Sequence, residues 1–204
     1  FLGYDSDNKH RTTFYSALAR LVFSSSEDLD NLFDAFVTPN LDILQQLTQL
    51  AHEPAQLREP ASRLAIIAAL RDLRGITVSA YNKRTYTLLF EALHPGAFTL
   101  LRSVADVWYD DPVVVTALFK FLQEFVYNKG QRIYFDQSSA NGILLFREAS
   151  AIICSYGSRI LQVPTKVDVY VEKYKGIRLM LKTLICCLGG GYVNFGVFEL
   201  YGDQ

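Results

Sequence analysis

The stretch "DDPVVVTALFKFLQEFVYNKGQRIYFDQSSANGILLFREASAIICSYGSRI", residues 110–160, decides the fold. It opens on a helix start. Asp111 is a good N-cap, and Pro112 stands at the first helical position, where a missing N–H costs nothing. Apolar residues follow at Val114, Ala117, Leu118, Phe121, Leu122 and Phe125, offsets of 0, 3, 4, 7, 8 and 11. Those offsets trace one helical face, whereas a strand would alternate. Gly130 is the stop signal. A second helix reads Leu145, Ala149, Ile152, Ile153, Tyr156 and Ile160, again a single stripe. Neither helix can bury its stripe alone, but stacked helices of the same kind can.

The chain on either side offers more of them. From Lys9 to Phe23, Phe14, Leu18, Leu21 and Val22 form a stripe, ended by Ser24–Asp28. Leu29, Leu32, Phe33 and Phe36 begin the next helix, which resumes past Pro39 with Leu41, Leu44, Leu47 and Ala51. Pro39 is expected to kink or split it. His52–Ser62, with two prolines and mixed charge, is the best linker candidate, though too short for a domain boundary. Ala61–Ala80 is apolar on most sides and should lie buried between neighbours. After the turn Tyr81-Asn82-Lys83, Arg84–Leu93 reads as a shorter helix stopped by His94-Pro95-Gly96. Ala97–Tyr109 pairs with the helix after Pro112. Gly142–Leu161 and Lys166–Leu188 make a further pair, joined by Gln162–Thr165 and ended by Gly189-Gly190-Gly191. Residues 192–203, "YVNFGVFELYGD", open a ninth helix or a short cap.

No segment alternates for long, so strands are not expected. Pair starts near positions 9, 61, 97 and 142 lie 52, 36 and 45 residues apart. These scatter around the ~40–47 residues of HEAT and armadillo arrays. The expected fold is all-α: an α-solenoid of HEAT-like antiparallel helix pairs, about four pairs plus a partial fifth. It forms a single segment over 1–204, with pairs at roughly 9–51, 61–93, 97–129 and 142–188 and a partial one at 192–204. A compact all-α domain is the competing arrangement.

Charge and chemistry narrow the function. The net charge is −1 and the sequence pI about 6.3, which argues against nucleic acid as the main partner. The longest apolar run, Leu184–Phe198, is broken by glycines and is shorter than the ~20 residues of a membrane span, so no membrane partner is expected. No signal peptide is read at Phe1–His10, and the ends, Phe1 and Gln204, read as cuts in something longer. Cys154, Cys186 and Cys187 are odd in number and lie in apolar helices, the pattern of reduced thiols. None has a nearby His, so no metal is expected. His10, His52 and His94 are far apart, with no partner at a local motif spacing. Gly189-Gly190-Gly191 lacks the ending of a phosphate loop. An enzyme is not indicated, and no cofactor is expected.

The candidate recognition residues lie at turns. Lys83 and Arg84, at a turn, are placed for surface contact. In the loop "QRIYFDQSSANG" (131–142), Arg132, Tyr134, Phe135 and Asp136 can present a binding surface, with Arg132 and Tyr134 singled out. Alternatively Tyr134 and Phe135 anchor the loop while Asp136, Ser138 or Asn141 caps the next helix. Arg71, Asp72 and Arg74 have two readings, a basic contact for an acidic protein surface or an inter-repeat ladder. The ladder is better founded, because a buried Arg needs a partner and an adjacent repeat supplies one. The aromatics of 192–203 fill an inter-repeat seam more readily than they form a partner strip.

Seven blocks stand in a familiar order: "RTTFYSALARL" (11–21), "RDLRGI" (71–76), "LLFEAL" (88–93), "VWYDDP" (107–112), "QRIYFDQSSANGILLFRE" (131–148), "YGSRIL" (156–161) and "YVNFGVFELYGD" (192–203). They resemble the C-terminal part of an exportin, a nuclear transport receptor of the importin-β superfamily. The resemblance implies HEAT repeats, protein cargo bound together with Ran-GTP, contact with nuclear pore proteins, and shuttling between nucleus and cytoplasm. It implies cargo recognised by folded surfaces, and main Ran-binding repeats at the N-terminal end, outside this segment. A static helical-repeat scaffold or regulatory subunit with nucleotide-independent binding is the alternative.

Overall fold

Among the described residues, the apolar stripes read from the sequence fall in helices. The computed structural model describes residues 10–24, 28–135, 139–164 and 169–193. Among these it places nine α-helices and no strand. They are α1 (Arg11–Phe23), α2 (Leu29–Leu50), α3 (Pro54–Leu57), α4 (Pro60–Ser79), α5 (Lys83–Leu93), α6 (Gly96–Val107), α7 (Pro112–Val126), α8 (Asn141–Ile160) and α9 (Lys175–Leu188). A 3₁₀ turn, Lys129–Gln131, follows α7, and a π-helical turn, Tyr170–Tyr174, runs into α9.

The helices form two layers of an all-α solenoid. α1, α4, α7 and α9 pack side by side in succession, and α2, α6 and α8 form the second layer against them. α4 explains the first layer. It is buried on most sides, from Ile66 to Ser79, because α1 flanks it on one side and α7 on the other. Each helix of the stack buries its stripe only against its neighbours, which is the physics of a repeat array. No helix among the described residues is long and apolar enough to cross a membrane.

Several local expectations need correction. Pro39 does not split α2, which runs unbroken from Leu29 to Leu50. Phe33, Phe36 and Val37 before it and Leu44 and Leu47 after it are all buried, and this burial outweighs the ~3 kcal/mol a mid-helix proline costs. The expected linker at 52–62 is built into the fold. It contains α3, whose Leu57 is fully buried, and the Leu57 carbonyl accepts a bond of 3.1 Å from Trp108 Nε1. α7 ends at Val126, four residues before Gly130, which lies at φ 63° in the 3₁₀ turn. Asn141 is the first residue of α8 rather than its cap, and Ala140 at the cap makes no side-chain bond. Asp136 and Ser138 lie outside the described residues. The N-cap at Asp111 is as read: Oδ1 accepts from the backbone N–H of Val113 (2.9 Å) and Val114 (3.1 Å).

Candidate protein-interaction site

The C-terminal ends of α4 and α7 meet at one edge of the solenoid, held by Arg132. Four carbonyls at each helix end lack a helical partner, and a cation there also complements the helix dipole. Arg132 Nη1 donates to the Thr77 (2.7 Å) and Ala80 (3.1 Å) carbonyls at the end of α4. Its Nη2 donates to the Glu124 carbonyl and to Glu124 Oε1 (3.3 Å), and its Nε to the Tyr127 carbonyl (3.3 Å). Arg132 was expected on a binding surface. At 1% exposure it is instead a clamp between two helix ends, a role invisible until their carbonyls converge. Asn128 extends the clamp to the end of α9: its Nδ2 donates to the Gly190 carbonyl (2.6 Å), and its Oδ1 accepts from the Ile133 N–H (2.7 Å).

With the loop pinned, its next two residues point apart. Phe135 packs inward on Phe90 and Tyr86, at ring separations of 5.1 and 6.5 Å. Tyr134 turns outward and is 58% exposed. Lys83, at the start of α5, sets its Nζ 4.0 Å from the Tyr134 ring centroid. Arg84 reaches Asp30 of α2 at 3.0 Å, with both side chains more than half exposed, so this pair adds little stability. Tyr81 and Tyr127 are exposed close by in the chain. The edge thus gathers Lys83, Arg84 and Tyr134, three of the four residues singled out for recognition, on a support fixed by the fourth. Exposed aromatic and cationic side chains on a rigid base are the make-up of protein-binding hot spots.

The trio Arg71, Asp72 and Arg74 divides. Asp72 is 1% exposed and bridges α4 to α1, its Oδ1 accepting from Arg11 Nε (2.7 Å) and its Oδ2 from Arg11 Nη2 (2.5 Å). Burial pushes its carboxyl up to about 6 against the lowering pull of Arg11. The same seam holds Thr12 Oγ1 donating to the Arg71 carbonyl (3.0 Å) and the Ser79 hydroxyl donating to the Ser16 carbonyl (2.9 Å). Gly75 lets the two helices close: a Cβ there would lie 2.5 Å from the Thr12 carbonyl oxygen. The side chains of Arg71 and Arg74 are only half-buried.

A second charged seam runs along the opposite edge, and the sequence reading missed it. Arg58 meets Asp110 at 2.8 Å while its guanidinium lies 4.7 Å from the Trp108 ring centroid. Arg63 Nε donates to Asp111 at 2.6 Å, and Arg159 Nε to Asp106 at 2.7 Å. Arg63 and the two capping N–H groups hold the Asp111 carboxyl below its ordinary range, outweighing the raising effect of burial. These partners stand 52, 48 and 53 residues apart, about one repeat. Opposite charges offset by one repeat were the available signal. Of the aromatic run at 192–203, Tyr192 seals a seam by donating its hydroxyl to the Val126 carbonyl (3.2 Å), and residues 194–203 lie outside the described residues.

No family model and no solved structure matches the chain. Among curated proteins, Exportin-7 of Dictyostelium discoideum is 43% identical over 204 residues, the whole of this chain and 20% of that protein. Exportin-7-B of Xenopus laevis is 39% identical over 212 residues, the whole of this chain and 19% of that protein. Ran-binding protein 17 of Homo sapiens is 40% identical over 201 residues, 98% of this chain and 18% of that protein. The chain spans about a fifth of the length of these relatives. From end to end it is similar to one segment of the exportin-7 and Ran-binding protein 16 and 17 group, the exportin likeness that its ordered sequence blocks carry.

Proposed function

We propose that this chain is a helical-repeat segment of a nuclear export receptor, which carries protein cargo out of the nucleus together with Ran-GTP. The observation that carries the reading is unbroken similarity over the whole chain to proteins named for export and for Ran binding. The receptor shuttles between nucleus and cytoplasm and meets nuclear pore proteins on the way. It works by non-covalent recognition. Each repeat touches only its neighbours, so small rotations between repeats add up to a change of curvature. Ran-GTP bound elsewhere selects the curvature that fits cargo, a shift of population without a chemical step. In this segment the edge bearing Lys83, Arg84 and Tyr134 is the recognition surface, and the Asp72 seam serves as part of the inter-repeat ladder.

The test uses the full-length parent in nuclear extract, with Ran locked in its GTP form and, separately, in its GDP form. Proteins retained only with the GTP form are the expected result and supply the cargo list. Retention indifferent to nucleotide would overturn the export reading in favour of a static scaffold on the same helical repeats.

A further inference from the structure

The buried Arg132 guanidinium also fixes which exposed side chains meet at the clamped edge. It holds the Ala80 carbonyl through Nη1 (3.1 Å) and the Tyr127 carbonyl through Nε (3.3 Å). Tyr81 follows Ala80 directly in the chain, and Tyr134 stands two residues beyond Arg132 itself. Three tyrosines from separate stretches are thus drawn around one arginine, and all three side chains are exposed. Lys83 lies two residues past Tyr81, with its Nζ 4.0 Å from the Tyr134 ring centroid. Lys129 lies two residues past Tyr127, in the 3₁₀ turn, where its carbonyl accepts from the Arg132 N–H (3.3 Å) and its side chain is exposed.

The patch is cationic. Among the described residues neither Lys83 nor Lys129 forms an ion pair. Arg84 beside them is taken up by Asp30 (3.0 Å), and the Glu124 carboxylate by Arg132 (3.3 Å). What the patch offers a partner is tyrosine ring, tyrosine hydroxyl and ammonium. An ammonium over a ring face keeps N–H groups for a further acceptor. Tyrosine rings supply rigid contact area at little entropy cost, each with a polar tip.

We propose that the patch of Tyr81, Lys83, Tyr127, Lys129 and Tyr134 takes an extended acidic protein segment, with its carboxylates on the two lysines and its proline or aliphatic side chains on the tyrosine rings. It rests on the reading of this edge as a recognition surface and adds the class of partner. Charge complementarity fixes the carboxylates, since each ammonium has three donors and no acceptor. The rings fix the rest, because surfaces lined by aromatic side chains take extended, proline-bearing segments. A nucleic acid fits less well. Its strand carries a phosphate at every step and is gathered by a run of cations, whereas this chain has a net charge of −1 and the patch has two lysines.

The test is fluorescence anisotropy on the full-length parent with a labelled peptide of about a dozen alternating glutamates and prolines, at low salt, where surface charge is least screened. A lysine–proline peptide of the same length is the charge control, and only the acidic peptide is expected to bind. Lys129→Glu should weaken that binding about tenfold, through reversal of a unit charge at close range. Tyr127→Ala should weaken it about fivefold, through loss of an aromatic anchor. Both side chains are exposed, and Arg132 holds the backbone of Tyr127, so the variants keep the clamp; circular dichroism checks the fold. Tyr170→Ala, in the turn that leads into α9 at the end away from Gly190, is expected to leave affinity unchanged. An acidic peptide that binds no better than the basic one overturns the proposal, as does unchanged affinity in a combined Tyr81→Ala, Tyr127→Ala and Lys129→Glu variant. So does a single-stranded RNA of equal charge that binds more tightly than the acidic peptide and is lost with Lys129→Glu. The edge itself is judged separately, by Ran-GTP-dependent retention of partners in the combined variant. Lost retention without peptide binding overturns the acidic segment and keeps the edge; undiminished retention overturns both.

Discussion

Removing the carboxylate of Asp72 tests whether the α1–α4 seam rests on a buried charge pair. Asp72 and Arg11 are each 1% exposed and joined by two bonds of 2.7 and 2.5 Å. Asp72→Ala takes away the carboxylate that accepts two hydrogen bonds from the buried Arg11 guanidinium, a loss of about 3–5 kcal/mol. Replacing both, as Arg11→Met with Asp72→Leu, removes both desolvation costs and is expected to be neutral or stabilising by up to about 4 kcal/mol. Long repeat arrays do not unfold in two states, so a single melting curve is the wrong assay. Native-state hydrogen exchange of peptides from α1 and α4, in the full-length parent, reads the local opening free energy instead. Measurement at pH 8 keeps Asp72 ionised, since its carboxyl is pushed up to about 6. Asp72→Ala should speed exchange in both helices by about a hundredfold or more, as 1.36 kcal/mol is tenfold. The double variant should restore protection. If both variants exchanged alike, the seam would not depend on charge pairing, and the argument from burial would fail.

Other predictions follow from the same contacts. Asp111→Ala removes a helix cap and the Arg63 partner and should cost about 2 kcal/mol in local exchange of α7, while Asp111→Asn keeps the cap and costs less than half as much. Because the folded pKa of Asp111 is lowered, its contribution is present above the unfolded value of 3.8 and disappears as pH falls through the folded value; an Asp111→Ala variant should lose that acid-side dependence. Gly75→Ala should destabilise the α1–α4 seam by about 2 kcal/mol, because the new Cβ would meet the Thr12 carbonyl oxygen at 2.5 Å and the Ser16 nitrogen at 2.9 Å, backbone atoms that cannot rotate aside. Unaltered exchange there would show that the helices part without cost. Tyr134→Ala with Lys83→Glu should reduce retention of nucleotide-dependent partners about tenfold while leaving helix protection unchanged, and undiminished retention would remove this edge from recognition.

How much was legible before the tertiary structure differs by kind of residue. The helix over Pro112–Val126 was readable because its signals are local: a cap, a proline at the first position, and a stripe at helical spacing. The split considered at Pro39 does not occur, because the opposing term, burial of Phe33 and Leu44 on either side, comes from neighbouring helices. Arg132 shows the same limit at the candidate site. Its sequence context, a loop between two helices, matches that of an exposed contact residue. Its fate was decided by carbonyls of Thr77 and Ala80 more than fifty residues away. Tyr134 and Phe135 are adjacent aromatics with equal claims to the core, and only the pinned loop decides that Phe135 goes in and Tyr134 out.

The sequence by itself determined that this chain is helical, where most helices begin and end, which face of each is apolar, and, through its ordered blocks, its exportin likeness. These depend on interactions within a few residues, or on the order of the chain itself. The tertiary structure alone decided which charges meet. Arg11 with Asp72, Arg63 with Asp111 and Arg159 with Asp106 are joined only when successive repeats stack. The physical reason is range. Helix propensity and capping act along the chain, while ion pairing and burial act through space, and a solenoid brings residues one repeat apart into contact only after its local structure has formed.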